Sequence, residues 1–127
     1  MAFTTYLRNK VLDDVLGTTA YTAPTTVYVG LYTTATGAAG GGTEVSGNGY
    51  VRKAMAFDAS ASGAADNTSA VEFDTATASW GTITHTAILD ASTAGNMMME
   101  GALTASKVIG SGDVFRFQAG EFDTSLT

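Results

Sequence analysis

The sequence contains no cysteine and only one histidine, one tryptophan and one proline. Without cysteine the chain can form neither a disulfide framework nor a thiolate metal site. Charged residues are also scarce, at 14% of the chain, and the net charge is −6. Because binding to phosphate backbones depends on clustered basic residues, this dispersed and acidic charge argues against nucleic-acid binding.

Long apolar runs are missing as well. No segment is long and apolar enough for a transmembrane helix, and the first residues lack the apolar core of a signal peptide. We therefore predict no membrane contact and no export signal.

Small and β-favouring residues take the place of charged ones. The 127 residues include 21 threonines, 21 alanines and 15 glycines, and 45% of the chain is hydrophobic. A chain of this length fits one domain with one core, so we predict a single domain over residues 1–127. A surface of small, weakly hydrated side chains is suited to packing against other subunits.

The segment at 80–90, with the sequence WGTITHTAILD, is the longest run of β-favouring residues. Its side chains alternate with a period of two, and both alternating sets are apolar or β-branched. A strand with two such faces is typically covered on both sides. This segment is therefore predicted to be the central strand.

Shorter segments rich in β-favouring residues precede and follow the central strand in the sequence. They lie between Gly and Asn turns at 27–32, 50–57, 71–73, 97–103 and 115–117, and Phe122 and Leu126 close the chain. About seven or eight short strands at this spacing are typical of an antiparallel β-sandwich. We predict a mainly β fold, an antiparallel β-sandwich or jelly-roll-like barrel, with one N-terminal amphipathic helix.

That helix is predicted over residues 3–16, within an N-terminal arm at 1–17. Phe3, Leu7, Val11 and Val15 are spaced four apart and, with Leu12 and Leu16 beside them, form one apolar stripe. Thr4 or Thr5 can cap its start, and Gly17 can adopt the left-handed conformation that ends it. Two interpretations stay open at this point: the helix covers its own domain, or the arm docks on a neighbouring subunit.

Residues 34–49, TATGAAGGGTEVSGNG, contain six glycines and are predicted to lack regular structure. A loop of this length in a compact domain is usually functional or disordered. We expect this glycine-rich loop to be ordered only by contact with a partner, with a loop that stays mobile as the alternative.

The sequence offers little for catalysis. His85 lies inside a regular strand and no G-x-S-x-G turn is present, so a histidine satisfied by a neighbouring backbone group is the better interpretation. Glu72 and Asp74, like Glu121 and Asp123, could place two carboxylates on one strand face, as glycoside hydrolysis or calcium binding requires. Solvated strand faces explain them more simply. We predict no enzymatic activity, no cofactor and no metal.

Motifs of modest length follow one another along most of the chain: TTYLRNKVLDDVLG, VYVGLYTT, SGNGYVRKA, WGTITHTAILDASTAGN, GALTASKVIGSGDVFRF and QAGEF. In this order and spacing they resemble a family of small virion proteins of tailed bacteriophages. Members of that family are often labelled tail-fibre or minor tail proteins, and similar short β-proteins serve as head decoration, or cement, proteins. The resemblance implies a virion structural protein made in the cytoplasm of a bacterial host.

Two physical features favour the head over the tail. The chain has no coiled-coil heptads or repeats such as an extended fibre would need, and its acidic, charge-poor surface suits the outside of a DNA-filled shell. We expect a capsid cement protein on the outer surface of the head. Its partners would be the major capsid protein of the same phage and further copies of itself, arranged as a trimer.

The alternative is a tail-fibre or tail-tip component involved in host attachment, and a glycan-degrading enzyme is a more distant third. Glycan binding predicts exposed aromatic rings, for which Tyr28 and Tyr32 are candidates together with Tyr50. Cement predicts the same tyrosines buried at subunit contacts. The residues predicted to contact a partner lie in the arm and in or beside the glycine-rich loop: Phe3, Tyr6, Leu7, Val11, Gly41, Glu44, Val45 and Tyr50.

Overall fold

A computed structural model describes residues 1–125 of the chain, so the predicted role of Leu126 lies outside the described residues. The elements in chain order are β1 Ala2–Phe3, α1 Thr5–Val15, β2 Val27–Tyr32, β3 Lys53–Met55, β4 Ala64–Asp66, β5 Val71–Glu72, β6 Gly81–Leu89, β7 Met97–Ile109, β8 Arg116–Phe117 and β9 Asp123–Ser125. The fold is mainly β and antiparallel with one helix, as predicted, and is consistent with a β-sandwich. The jelly-roll order stays a prediction.

The main sheet has five strands in the order β1-β7-β6-β2-β3, and two smaller sheets pair β4 with β9 and β5 with β8. Strand β6 is therefore the central strand, as the sequence predicts. Its ladder with β2 runs from the pair Tyr28 and Leu89 to the pair Tyr32 and His85. No helix within residues 1–125 has the length and apolar character that a membrane crossing requires.

Both faces of β6 are buried. Ile83 and Ile88 belong to the main core, while Ala87 and Leu89 join a smaller cluster on the other face. Ile83 and Ile88 lie five positions apart and would point to opposite faces of a regular strand. Both nevertheless belong to the main core, and the β6–β7 ladder is irregular at two places, between Ile83 and His85 and between Ile88 and Leu89.

Aromatic rings fill the main core. Phe73 stacks on Tyr50 with ring centroids 6.1 Å apart and meets the edge of Phe115 at 5.8 Å. Phe115 and Phe117 are 5.0 Å apart, which confirms that they share a face. The buried Trp80 packs edge-on against Tyr50 at 5.5 Å, and its indole N–H donates to the Asn48 carbonyl at 2.9 Å.

Three segments differ from the sequence prediction. The strand predicted at 50–57 is regular only at Lys53–Met55, and the strand predicted at 97–103 continues to Ile109. The polar segment 58–68, which lies between two predicted strands, contains β4. Its pairing with β9 is held by the buried Asn67, whose amide donates to the Gln118 carbonyl and accepts the Phe122 N–H, both at 2.9 Å. These partners are distant in sequence, so local pattern gave no sign of them.

Helix α1 begins two residues later than predicted because residues 2 and 3 form β1, which pairs with β7. Thr4 is the N-cap, as predicted: its hydroxyl accepts the Leu7 N–H and donates to the Met97 carbonyl at 2.6 Å. Gly17, with φ of +77°, follows the helix in the predicted left-handed conformation. The buried Thr4 thus fixes the start of the helix on the sheet.

Replacing Asp66 with asparagine is expected to raise the melting temperature at neutral pH by about 1–3 °C. Asp66 lies directly opposite Asp123 in the β4–β9 ladder, and a hydrogen bond between the two carboxyl groups raises the pKa of Asp66 above its ordinary value. A raised pKa in the folded state means a penalty at neutral pH, which is relieved as the pH falls through that raised value. The gain from Asp66→Asn should therefore shrink in acidic buffer.

Thermal melts monitored by circular dichroism over a pH series would measure this effect. The matched control is Asp74→Asn, which removes an exposed ion pair with Lys53 at 2.7 Å and should leave the melting temperature unchanged or slightly lower. Equal shifts for the two variants would contradict the assignment of repulsion to Asp66.

Candidate functional site

The glycine-rich loop at 34–49 is held by contacts within its own chain. Thr36 is buried, and its hydroxyl donates to Glu100 Oε1 at 2.8 Å. The Thr5 N–H at the start of α1 donates to the Ala38 carbonyl at 2.9 Å. The expectation that only a partner would order this loop is therefore wrong, because β7 and α1 already supply the polar groups that its backbone needs.

A second set of contacts holds the end of the loop, and we name it the Glu44 cluster: Glu44, Tyr50 and Arg52. The guanidinium group of Arg52 binds the Glu44 carboxylate through two hydrogen bonds of 2.8 Å each. The Tyr50 hydroxyl donates to Glu44 Oε2 at 2.7 Å and accepts the Leu31 N–H at 3.0 Å. The carboxylate thus has three donors.

Arg52 also connects the cluster to the turn between β6 and β7. Its Nη1 donates to the carbonyls of Ala91 at 2.9 Å and Ala94 at 2.8 Å. One side chain therefore joins the glycine-rich loop to a turn about 40 residues later in the chain. Bidentate pairing of this kind fixes geometry as well as charge.

Two members of the Glu44 cluster, Tyr50 and Arg52, have raised pKa values. Burial, followed by the hydrogen bond to Glu44, raises the pKa of Tyr50 well above its ordinary value. Burial likewise raises the pKa of the neighbouring Tyr32 to about 12. The hydrogen bond to Glu44 raises the pKa of Arg52, against the opposing effect of burial. Tyr50 therefore acts as a permanent donor, which suits a structural role.

The predicted contact residues fall into two groups in the structure. Half-buried positions on or beside the inner side of the arm are Phe3, Tyr6, Leu7 and Val11. In the loop region Gly41 is exposed, Glu44 is half-buried, Val45 is in the main core and Tyr50 packs against that core. Most of these side chains already have neighbours within the chain, and their contact with a partner stays a prediction.

Comparison with known protein families decides the family. Residues 2–125 match the family model described as Podophage GP4 fiber I protein gp80. The chain belongs to this family. A search of curated proteins finds no match.

Membership in the fiber I family makes the chain a structural protein of the phage virion, as the sequence resemblance implied. Because the family is described as a fiber protein, the match favours the tail-fibre alternative over head cement. It gives no support for a location on the outer surface of the head.

The surface of this fiber I family member exposes aliphatic rather than aromatic side chains. Every tyrosine, phenylalanine and tryptophan lies within residues 1–125 and is buried or half-buried. Tyr32 and Tyr50 in particular lie in or against the core and do not form an open platform for a sugar ring. The large exposed hydrophobic side chains are Leu12, Val15, Leu16, Val51, Val108 and Val114.

Leu12, Val15 and Leu16 are the functional candidates that the predicted contact set omits. The apolar residues of the arm, predicted to form one stripe, occupy two sides of the helix in the structure. Leu7 and Val11 lie on the side toward the sheet, and Leu12, one residue on from Val11, is rotated by about 100° around the axis. A helical wheel separates these two sides and could have identified the outer one.

The chemical groups considered for catalysis are held in structural contacts. The half-buried His85 has its Nδ1 2.8 Å from the Thr84 hydroxyl, so a side chain satisfies it where a backbone group was predicted. Glu72 lies 3.8 Å from the guanidinium of Arg116 on the surface. Among residues 1–125 no group of three or more His, Asp or Glu side chains is placed to hold a metal ion. The absence of enzymatic activity stays a prediction.

Proposed function

We propose that this chain is a subunit of a phage tail fibre, involved in host attachment, that works through contacts with other virion proteins. The match to a fiber protein family over residues 2–125 carries the proposal. The surface supports it, because a subunit that binds other proteins needs apolar side chains at its surface, and six large aliphatic residues are exposed.

The ordered glycine-rich loop adds to this support. The Glu44 cluster and Glu100 hold the loop in one conformation before any partner binds. The conformational entropy of the loop is therefore lost during folding of the subunit and does not weaken binding. Such a preformed surface suits a protein assembled once into a particle. The compact fold further suggests a module placed on a fibre, since the sequence lacks the heptads of an extended shaft.

The surface of the chain gives little support for direct binding or cleavage of host glycan, so we place its contribution to attachment in its contacts with other fibre proteins. Stacking on glycan requires exposed aromatic rings, and none of the rings is exposed. Hydrolysis of glycan requires two carboxylates facing a shared cleft, whereas Asp74 and Glu72 form separate surface ion pairs. We propose a non-enzymatic subunit that carries or links other fibre components.

Cosedimentation of the purified protein with isolated tails and, separately, with expanded empty heads tests the proposal. We expect saturable binding to tails at a few copies each and no binding to heads. Competition by unlabelled protein distinguishes specific from non-specific binding. Saturable binding to heads at many copies each would overturn the fibre proposal in favour of cement.

A further inference from the structure

The outward side of helix α1 lacks a covering partner within the described residues. No residue of α1 is buried, and at its C-terminal end Leu12 is 55% exposed while Val15 and Leu16 are each 73% exposed. An isolated helix of this length is marginal in water and depends on packing of its apolar side. The contacts with the sheet cover only the opposite side, where Tyr6 and Leu7 pack against the core.

The charges of α1 are arranged against its own dipole. Arg8 and Lys10 lie in the N-terminal half, Asp13 and Asp14 lie near the C-terminal end, and neither an acidic first turn nor a basic last turn is present. A helix dipole favours the reverse order, with acidic residues first and basic residues last. A neighbouring helix running in the opposite direction eases this conflict, because its Arg8 lies beside the C-terminal end, where a cation is favoured.

We propose that α1 of one copy packs antiparallel against α1 of a second copy, across a two-fold axis near Leu12. Leu12 then meets its own counterpart, and the exposed Asn9 lies opposite Val15 of the other copy. Arg8 reaches the C-terminal end of the other helix, where a cation is favoured and where its stem covers Leu16.

A second copy fits this surface for a specific reason. In a two-fold contact the same patch serves both sides, so it must be self-complementary. The outward side has a polar half with Thr5, Arg8 and Asn9, and an apolar half with Leu12, Val15 and Leu16. Antiparallel pairing places each half against the other and brings Arg8 of each copy to the C-terminal end of the other helix, whereas parallel pairing places the two Arg8 side chains side by side.

The patch is small, and its size sets the strength of the contact. Stable interfaces bury about 800 Å² on each partner, more than three aliphatic side chains and their neighbours supply. Pairing of the free protein is therefore weak, and it gains strength where other contacts hold copies close together. This inference concerns contact between copies and holds whether they sit on the tail or on the head.

The absence of cysteine allows a direct test, because any introduced thiol is the only one in the chain. Leu12→Cys is expected to form disulfide-linked dimers under mild oxidation at least about tenfold faster than Val108→Cys. Val108 is the matched control, since it is 71% exposed and lies on β7 away from the outward side of α1. Circular dichroism of each variant confirms that the fold is retained.

A mixture of Asn9→Cys and Val15→Cys proteins determines the direction of the helices. Antiparallel pairing predicts that the mixed dimer forms faster than either homodimer. Both substitutions leave the four charged residues of α1 unchanged. Equal cross-linking of Leu12→Cys and Val108→Cys would overturn the contact. Faster formation of the two homodimers would overturn the antiparallel arrangement. Neither outcome bears on the binding of the protein to tails, which tests the fibre proposal separately.

Discussion

Phe73→Ala is expected to lower the free energy of unfolding by about 4 kcal/mol. The Phe73 side chain is 2% exposed, and its ring lies between Tyr50 and the rings of Phe115 and Phe117. Removing it leaves a cavity where β5, β8 and the segment around Tyr50 meet. Because small domains are stable by only about 5–15 kcal/mol, this loss brings the chain close to unfolding at room temperature.

Urea denaturation followed by tryptophan fluorescence measures this loss, since Trp80 is the only tryptophan and lies in the same core. Val108→Ala is the matched control: its side chain is exposed, and the change should stay within about 0.5 kcal/mol. Similar losses for the two variants would contradict the central place of Phe73 in the core. Phe73→Leu should cost less than Phe73→Ala because it leaves a smaller cavity.

Glu44→Gln is expected to lower the free energy of unfolding by about 2 kcal/mol. The Arg52 side chain, at 9% exposure, would keep its charge without an anionic partner. The cost stays below that of a fully buried pair because Glu44 retains 24% exposure. Replacing both residues, as Glu44→Gln with Arg52→Met, should cost less than the sum of the single losses, since no charge is then left unpaired.

A double-mutant cycle in urea measures the coupling between Glu44 and Arg52. The corresponding cycle for Lys53 and Asp74, an exposed pair, supplies the comparison and should give about 0.5 kcal/mol or less. Equal coupling in the two cycles would show that the Glu44 cluster contributes no more than a surface ion pair. Hydrogen exchange offers a second readout, because Glu44→Gln should speed exchange in the glycine-rich loop and leave β6 unchanged.

The sequence pattern predicts an element correctly where the residues that determine it are close together in the sequence. The bounds of β2 agree with the predicted segment 27–32, and β6 lies at the centre of the sheet with both faces buried. The Thr4 cap and Gly17 were also identified, because capping chemistry is read within a few residues of the helix end. In each case the decisive residues are neighbours in sequence.

Elements that depend on distant partners were predicted poorly. Strand β4 has little β-favouring character, and it exists because Asn67 and β9 hold it in place. The order of the glycine-rich loop likewise depends on Glu100 and Arg52, whose role one-dimensional pattern does not reveal. Glu44 and Tyr50 were selected as contact residues, yet the geometry gives them a structural partner in Arg52. The outward residues Leu12, Val15 and Leu16 are missing from the predicted contact set because all apolar residues of the arm were assigned to one side.

The pairing of β1 with β7 also determines when, during folding, the N-terminal arm can dock on the main sheet. Ala2 pairs with Glu100 and Phe3 with Met99, so this ladder forms only after most of the chain has been synthesised. Closing so long a loop is slow in comparison with folding of local hairpins. The hairpin of β6 and β7 can form first, and docking of the arm is then a late step of folding. During translation Ala2 and Phe3 leave the ribosome long before their partners on β7, so they wait longer for their native neighbours than residues that pair within a hairpin.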